Sequence, residues 1–238
     1  MIAYSVVIPI KDEAENILPL MNELAPVMNS LGQPWELIYI DDGSTDCSLP
    51  QLQKLALAFP DIRVIVFERN FGQSSAFDAG FKAARGEFVI TLDGDGQNDP
   101  KDIPALIAEA DSHDLVCGWR VNRRDPLSKK IISKLANGVR GRLCHDYTHD
   151  TGCSLKVYRT ACLRQIKMYQ GMHRFLPALF RMEGFRVTEV AVSHRERTRG
   201  QSKYHFFNRS LGPLVDLFGM VWLRRRTLRY RIKEVDHG

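Results

Sequence analysis

The chain has 238 residues, of which 44% are apolar and 26% charged, with 17 Gly and 11 Pro. That composition excludes a disordered or collagen-like chain and supports one large core, or one domain with an extension. The net charge of +5 is uneven: residues 195–238 hold eleven Lys/Arg against four Asp/Glu, and the first 194 hold twenty-two against twenty-four. An anionic surface is therefore expected near the C-terminus.

Tyr4 to Ile10 reads as a strand, with Pro9 near its end and Lys11-Asp12-Glu13 beyond it. Ile17, Leu18, Met21, Leu24, Val27 and Met28 recur at helical spacing and predict a helix over about 13–30. A second strand, 35–41, runs into Asp41-Asp42-Gly43-Ser44-Thr45-Asp46. A helix over about 47–59 follows, with Leu49, Leu52, Leu55, Ala56 and Phe59 on one face. Ile62 to Phe67 is the third strand, and the helix after it carries Ala76, Ala79, Gly80 and Ala83, small enough to sit close to a sheet or ligand. The fourth strand, 87–92, stops at Asp93-Gly94-Asp95-Gly96-Gln97. Pro100 and Asp102 open a helix to about residue 111, and Asp114 to Gly118 is a further strand. This alternation predicts an α/β fold with a mostly parallel sheet flanked by helices.

The second half is less regular. Residues 127–144 read as a basic helix, 154–158 and 186–193 as strands, and 174–183 as a helix between them. The economical division is a domain over 1–204 and an extension over 205–238. Residues 211–223 are apolar apart from Asp216, and Arg224, Arg225, Arg226, Arg229, Arg231 and Lys233 follow. The apolar part is too short to span a bilayer. It fits an amphipathic helix at a membrane surface, with arginines on anionic headgroups. The other reading is a last helix packed on the body or in a homo-oligomer interface. Five cysteines without a C-x-x-C pair argue against a disulfide framework and for the cytosol. The Cys144-His145…His149…Cys153 cluster lacks the spacing of a structural zinc site. The N-terminus has no signal-peptide pattern.

Three predicted strands thus end in acidic residues. In a parallel sheet those ends share one edge, where an open α/β sheet places its ligand. Two carboxylates two residues apart, with glycines between and after, suit a divalent cation, which wants several oxygens close together. A solvated Asp/Gly turn is the plain alternative at any one corner. Three corners on one edge favour a nucleotide pocket with a metal at its far end.

With "VVIPIKDEAENI", "LIYIDDGSTD", "RNFGQSSAFDAGF", "FVITLDGDGQNDP" and "RERTRGQSKY" in that order, the chain resembles the family 2 glycosyltransferases of GT-A (Rossmann-like) fold. It is most similar to their polyprenyl-phosphate branch, which includes dolichol-phosphate mannose synthases, and the resemblance runs from about residue 4 to 220. The resemblance implies an inverting transfer of sugar from a GDP- or UDP-sugar to a polyprenyl phosphate. It implies that Pro9, Glu13 and Asp41 or Asp42 contact the donor's base and ribose. Asp93, Asp95 and Gln97 would bind Mg²⁺ or Mn²⁺ and, through it, the donor diphosphate. Arg120, Lys129, Ser133, Arg197, Ser202 and Lys203 match the family's basic and polar site positions, with 197–203 a loop closing over donor and acceptor. Lys129 stands where the family usually has Arg, keeping the charge and losing the planar fork. Gly94 stands where Ala is common.

A phosphate acceptor has its second pKa near 6, so it needs no strong protein base. A sugar hydroxyl of a cell-envelope glycan, the alternative acceptor, would need one, and Asp150 is the candidate. Many relatives carry membrane-spanning helices after the "GxSKY" loop, whereas this chain ends soon after its basic cluster. The expected location is cytoplasmic, peripheral on the inner face of the membrane, either alone, with a separate membrane subunit, or as a shortened chain. A nucleic-acid binder is disfavoured because the basic stretch is interleaved with apolar bulk and holds no recognised module. A non-catalytic scaffold is disfavoured by the intact Asp93/Asp95/Gln97 set. A dinucleotide dehydrogenase is disfavoured because no G-x-G-x-x-G follows the first strand.

Overall fold

The computed structural model describes residues 1–121, 138, 141–143, 146–196 and 212–228. Within them, the apolar runs form β1 (Tyr4–Ile10), β2 (Trp35–Asp41), β3 (Ile62–Val66), β4 (Phe88–Thr91), β5 (Leu115–Arg120), β6 (Lys156–Arg159) and β7 (Val187–Val192). The helices are α1 (Ala14–Ser30), α2 (Ser48–Ala58), α3 (Gln73–Ala83), α4 (Ile103–Ala110), α5 (Thr160–Leu163), α6 (Leu176–Met182) and α7 (Gly212–Arg226), with 3₁₀ turns at Pro100–Asp102 and Met172–Phe175.

The strands join in one sheet of order β3-β2-β1-β4-β6-β5-β7. β6 runs antiparallel to β4 and β5, and the other pairs are parallel. The mostly parallel sheet expected from the alternation is therefore present, with one reversed strand inside it. Strands of such a sheet are covered on both faces, which is why they read as nearly continuous apolar runs. Val6, Ile8, Ile10, Leu37 and Tyr39 pack with Ile17, Leu24, Leu52 and Leu106 on the α1/α2/α4 side. Val7, Ile38 and Ile40 pack with Phe77, Phe81, Phe180 and Met220 on the α3/α6/α7 side. Gly80 lets α3 lie directly on the sheet, because a Cβ there would overlap Val7 Cγ1.

Two apolar positions depart from expectation. Leu18 is 50% exposed, one residue round the helix from buried Ile17. Phe59 is 47% exposed because α2 has already ended and its backbone is extended.

Strand order sets the site. From β1 the chain adds β2 and β3 on one side and then places β4 on the other. The order reverses between β1 and β4, and ligands of open α/β sheets bind outside the carboxyl ends at that point. Pro9 fits here because β1 pairs with β4 only as far as Val7↔Thr91. Its missing N–H falls where β4 has already left the ladder.

The opposite edge is closed by a buried carboxylate. Glu36 is fully buried and accepts Ser5 Oγ at 2.7 Å, Arg85 Nε at 2.9 Å and Arg63 Nη1 at 3.2 Å. Burial opposes its charge, but the hydrogen bonds from Arg85, Ser5 and Arg63 outweigh that and hold its pKa below the usual range.

α7 packs on the body through Met220, Leu217, Val221 and Leu223. Asp216 lies over Gly171, whose φ of +77° and close approach leave no room for a Cβ. The outward side of α7 carries Val215, Phe218 and Trp222, which are 68%, 70% and 59% exposed. Among the described residues no helix is long and apolar enough to cross a membrane.

Candidate active site

The carboxyl ends of the parallel strands meet the amino end of reversed β6 on one edge. The loops after β1 and β2 are sewn together there. Lys11 Nζ donates to Gly43 O, Asp12 N donates to Ser44 Oγ at 2.9 Å, and Glu13 N donates to Ser48 Oγ at 2.9 Å. Glu13 Oε2 accepts Asn16 Nδ2 at 2.6 Å. Asp41 and Asp42 are both buried. Asp41 Oδ1 accepts Ser44 N at 3.2 Å. Asp42 accepts Phe71 N at 2.7 Å and Gly72 N at 3.0 Å, one on each oxygen, and so ties β2 to the entry of α3.

The Asp93–Gln97 corner leaves β4 beside the end of β1. A Cβ on Gly94 would stand 3.0 Å from Pro9 O, so the small residue lets the corner lie against β1. Asp93 N donates to Asn98 Oδ1 at 3.2 Å, and Ser154 Oγ donates to the same oxygen at 2.6 Å. Asp93 Oδ1 accepts Gln73 Nε2 at 2.8 Å. Asp95 Oδ1 accepts Gln97 N at 3.1 Å. Burial, and then the charge of Asp95, push the Asp93 carboxyl up to about 6. A carboxylate whose charge is opposed by burial and by a second carboxylate is relieved by a cation. Among the described residues no group of three or more His, Cys, Asp or Glu gathers around one point. Two carboxylates and an amide fit a hard ion that takes its remaining oxygens from a diphosphate.

Lys156 lies beneath this corner. It is 3% exposed, its ammonium donates to Cys153 O, and its charge counters the upward shift of Asp93. On the β5 side, Arg120 grips Asp150 with two bonds, Nε to Oδ2 at 2.6 Å and Nη2 to Oδ1 at 2.9 Å. Burial pulls the pKa of Arg120 down, but Asp150 more than restores it. Next to this pair the rings of Trp119 and His149 stack at 4.5 Å. Glu189 fixes His149, accepting its Nδ1–H at 2.8 Å and its backbone N–H at 2.9 Å.

Pro9, Glu13, Asp41, Asp42, Asp93, Asp95, Gln97 and Arg120 thus share one edge of the sheet. Lys129, Ser133, Arg197, Ser202 and Lys203 lie outside the described residues. So do Cys144 and His145, and most of the expected basic helix 127–144. Arg195 is tied to the Asp93–Gln97 corner and the residues just after it: its N donates to Gln97 O at 3.1 Å and its Nη2 pairs with Asp99 at 2.6 Å. The described cysteines, 47, 117, 153 and 162, are free thiols. Sequence reasoning missed Gln73, Trp119, Lys156 and Glu189. Gln73 had a signal, since it stands inside the "RNFGQSSAFDAGF" motif.

Residues 5–167 match the family described as Glycosyl transferase family 2. The dodecaprenyl-phosphate galacturonate synthase of Rhizobium johnstonii is 42% identical over 234 residues, covering 94% of this chain and 68% of that protein. The undecaprenyl-phosphate 4-deoxy-4-formamido-L-arabinose transferase of Salmonella paratyphi B is 39% identical over 215 residues, covering 90% of this chain and 65% of that protein. The chain therefore spans about two thirds of the length of these curated relatives. Among solved structures, glucosyl-3-phosphoglycerate synthase from Mycobacterium tuberculosis with Mn²⁺, UDP and phosphoglyceric acid superposes with a TM-score of 0.68 at 18% identity, covering 93% of this chain and 78% of that one. S. aureus TarS 1–349 with UDP-GlcNAc gives 0.61 at 20% identity, covering 97% and 68%. Likeness at such identities establishes the GT-A fold alone.

Proposed function

We propose, because the chain belongs to glycosyl transferase family 2, that it transfers a sugar from a nucleotide-sugar donor to a polyprenyl phosphate, inverting the anomeric centre. Both named relatives act, by their names, on a polyprenyl phosphate, and their likeness to this chain runs nearly its full length.

The observation that carries the choice of acceptor is the Arg120–Asp150 pair. Asp150 is the carboxylate that would serve as base toward a hydroxyl, and both its oxygens already sit in a guanidinium fork. A phosphate acceptor needs no such base, because it arrives largely deprotonated. Arg120 has five N–H donors and spends two on Asp150, which leaves Nη1 for an anion. An acceptor oxygen held there attacks the anomeric carbon from the side opposite the nucleotide. The C–O bond to the diphosphate breaks, and its electron pair leaves with the diphosphate. Asp93 and Asp95, with Gln97, would hold Mg²⁺ or Mn²⁺, which when bound offsets the charge developing on the departing diphosphate. Glu13 and Asp41 lie on the β1/β2 side of the edge, where the base and ribose would fit. Lys129, Ser133, Arg197, Ser202 and Lys203 are assigned to the acceptor phosphate and the closing loop on the motif resemblance alone.

The catalytic unit of this proposal is 1–204, and 205–238 holds it on the inner face of the cytoplasmic membrane. Support comes from the outward Val215, Phe218 and Trp222 and the adjoining Arg224, Arg225 and Arg226. The test is a transfer screen of UDP- and GDP-sugars, including a nucleotide-activated galacturonate, with undecaprenyl phosphate and with a sugar hydroxyl as acceptors. Product on the lipid phosphate and none on the hydroxyl is expected. The reverse result overturns the acceptor assignment.

A further inference from the structure

Asp93 is held from outside its own loop by Gln73, the first residue of α3. The contact joins two motifs of separate origin in the chain, because α3 and β4 belong to different strand–helix units. Gln73 is itself placed by contacts on both sides. Immediately before it, the amides of Phe71 and Gly72 donate to Asp42 at 2.7 and 3.0 Å. Immediately after it, the Ser74 hydroxyl meets His173 Nδ1 at 2.6 Å. Ser74 is 4% exposed, and the neutral His173 ring, its pKa lowered to about 3 by burial first and by Arg174 and Lys156 next, packs beside Phe77. The first turn of α3 therefore has little freedom to slide along the sheet edge.

A neutral amide is the useful donor at this point. An Arg or Lys would neutralise the carboxylate that the ion needs, whereas an amide orients the carboxylate and leaves its charge intact. We propose that Gln73 is the positioning residue for Asp93: its Nε2–H fixes the rotation of the carboxylate beside Asp95, and the Ser74–His173 bond keeps Gln73 within reach. This assignment rests on the metal reading above and goes beyond it, since Gln73 is not among the residues that would hold the ion. Donors to metal-binding carboxylates typically change metal affinity by 10- to 100-fold when removed.

The experiment is a Mn²⁺ titration of the full chain, read by the electron paramagnetic resonance signal of free Mn²⁺, with and without UDP, alongside thermal unfolding. Gln73→Met keeps length and removes the donor. It is expected to weaken Mn²⁺ binding by about tenfold with an unchanged unfolding midpoint. Gln73→Asn, which keeps the amide but shortens its reach, is expected to fall between Gln73→Met and the unaltered protein. Ser74→Ala removes one hydroxyl and is expected to weaken binding in the same direction by less. It carries the test should Gln73→Met fail to fold. Mn²⁺ binding by Gln73→Met equal to that of the unaltered protein overturns the assignment while leaving the metal reading in place. Unaltered protein that takes up no Mn²⁺ overturns both.

Discussion

Arg120 and Asp150 form a bidentate ion pair, 2.6 Å from Nε to Oδ2 and 2.9 Å from Nη2 to Oδ1, with 14% and 5% of their side chains exposed. The sequence offers these residues for separate tasks, an anion anchor and a base, and the fold makes them one unit. Asp150→Asn keeps the shape and removes the charge that holds the guanidinium. On undecaprenyl phosphate it should lower kcat/KM by about tenfold, through misplacement of Arg120. A base role predicts a deeper loss, about 10²- to 10⁴-fold, with the acidic limb of the pH–rate profile gone. Steady-state kinetics of the variant across pH 6–9 decides between them.

Metal affinity should depend on pH through Asp93, whose carboxyl is pushed up to about 6. A raised carboxylate pKa stabilises the metal-free protein at acid pH, and this contribution is lost as pH rises through about 6. Binding of the ion runs the other way, because it requires the ionised form. Mn²⁺ affinity should therefore fall about tenfold per unit below pH 6 and level off above it. Titrations at pH 5, 6 and 7 check the slope.

Glu36, at the far edge of the sheet, should matter for stability and not for chemistry. Its pKa is lowered, so its contribution is present above the unfolded carboxyl range and is lost as pH falls through the folded value. Glu36→Gln leaves Arg85, Arg63 and Ser5 with a weaker acceptor and should cost about 1–3 kcal/mol at neutral pH. The difference from the unaltered protein should shrink in acid. Urea denaturation at pH 7 and pH 4 measures both.

The outward face of α7 makes an independent prediction. Phe218 and Trp222 are 70% and 59% exposed, so Phe218→Ser with Trp222→Ser should leave the unfolding midpoint nearly unchanged. Co-sedimentation with vesicles containing anionic lipid should fall severalfold. Unchanged co-sedimentation removes this face from the membrane proposal.

Most of the fold was legible because the parallel strands are buried on both faces and write long apolar runs between helical periods. The reversed direction of β6 was not, since periodicity is the same for either direction of a strand. The acidic corners were legible because Asp and Gly next to an apolar run mark where a strand leaves the sheet. Lys156 was not, because a lone lysine in a short strand looks like a solvent-facing residue, and only the position of β6 between β4 and β5 buries it. Trp119 and His149 stand thirty positions apart, and nothing local in the sequence brings their rings together. Leu18 was misplaced for the opposite reason: helical spacing marks a stripe, and residues at its margin fall either side of it.

The most direct measurement is sugar transfer from nucleotide sugar to undecaprenyl phosphate by the unaltered chain and by Asp93→Ala with Asp95→Ala, each with Mn²⁺ and with excess chelator. The unaltered chain should form lipid-linked product only with the ion, and the double variant should lose about 10²- to 10³-fold or more of that rate. Donor consumption by the double variant at the unaltered rate, or full transfer by the unaltered chain in chelator, would contradict a metal-held diphosphate as the source of catalysis.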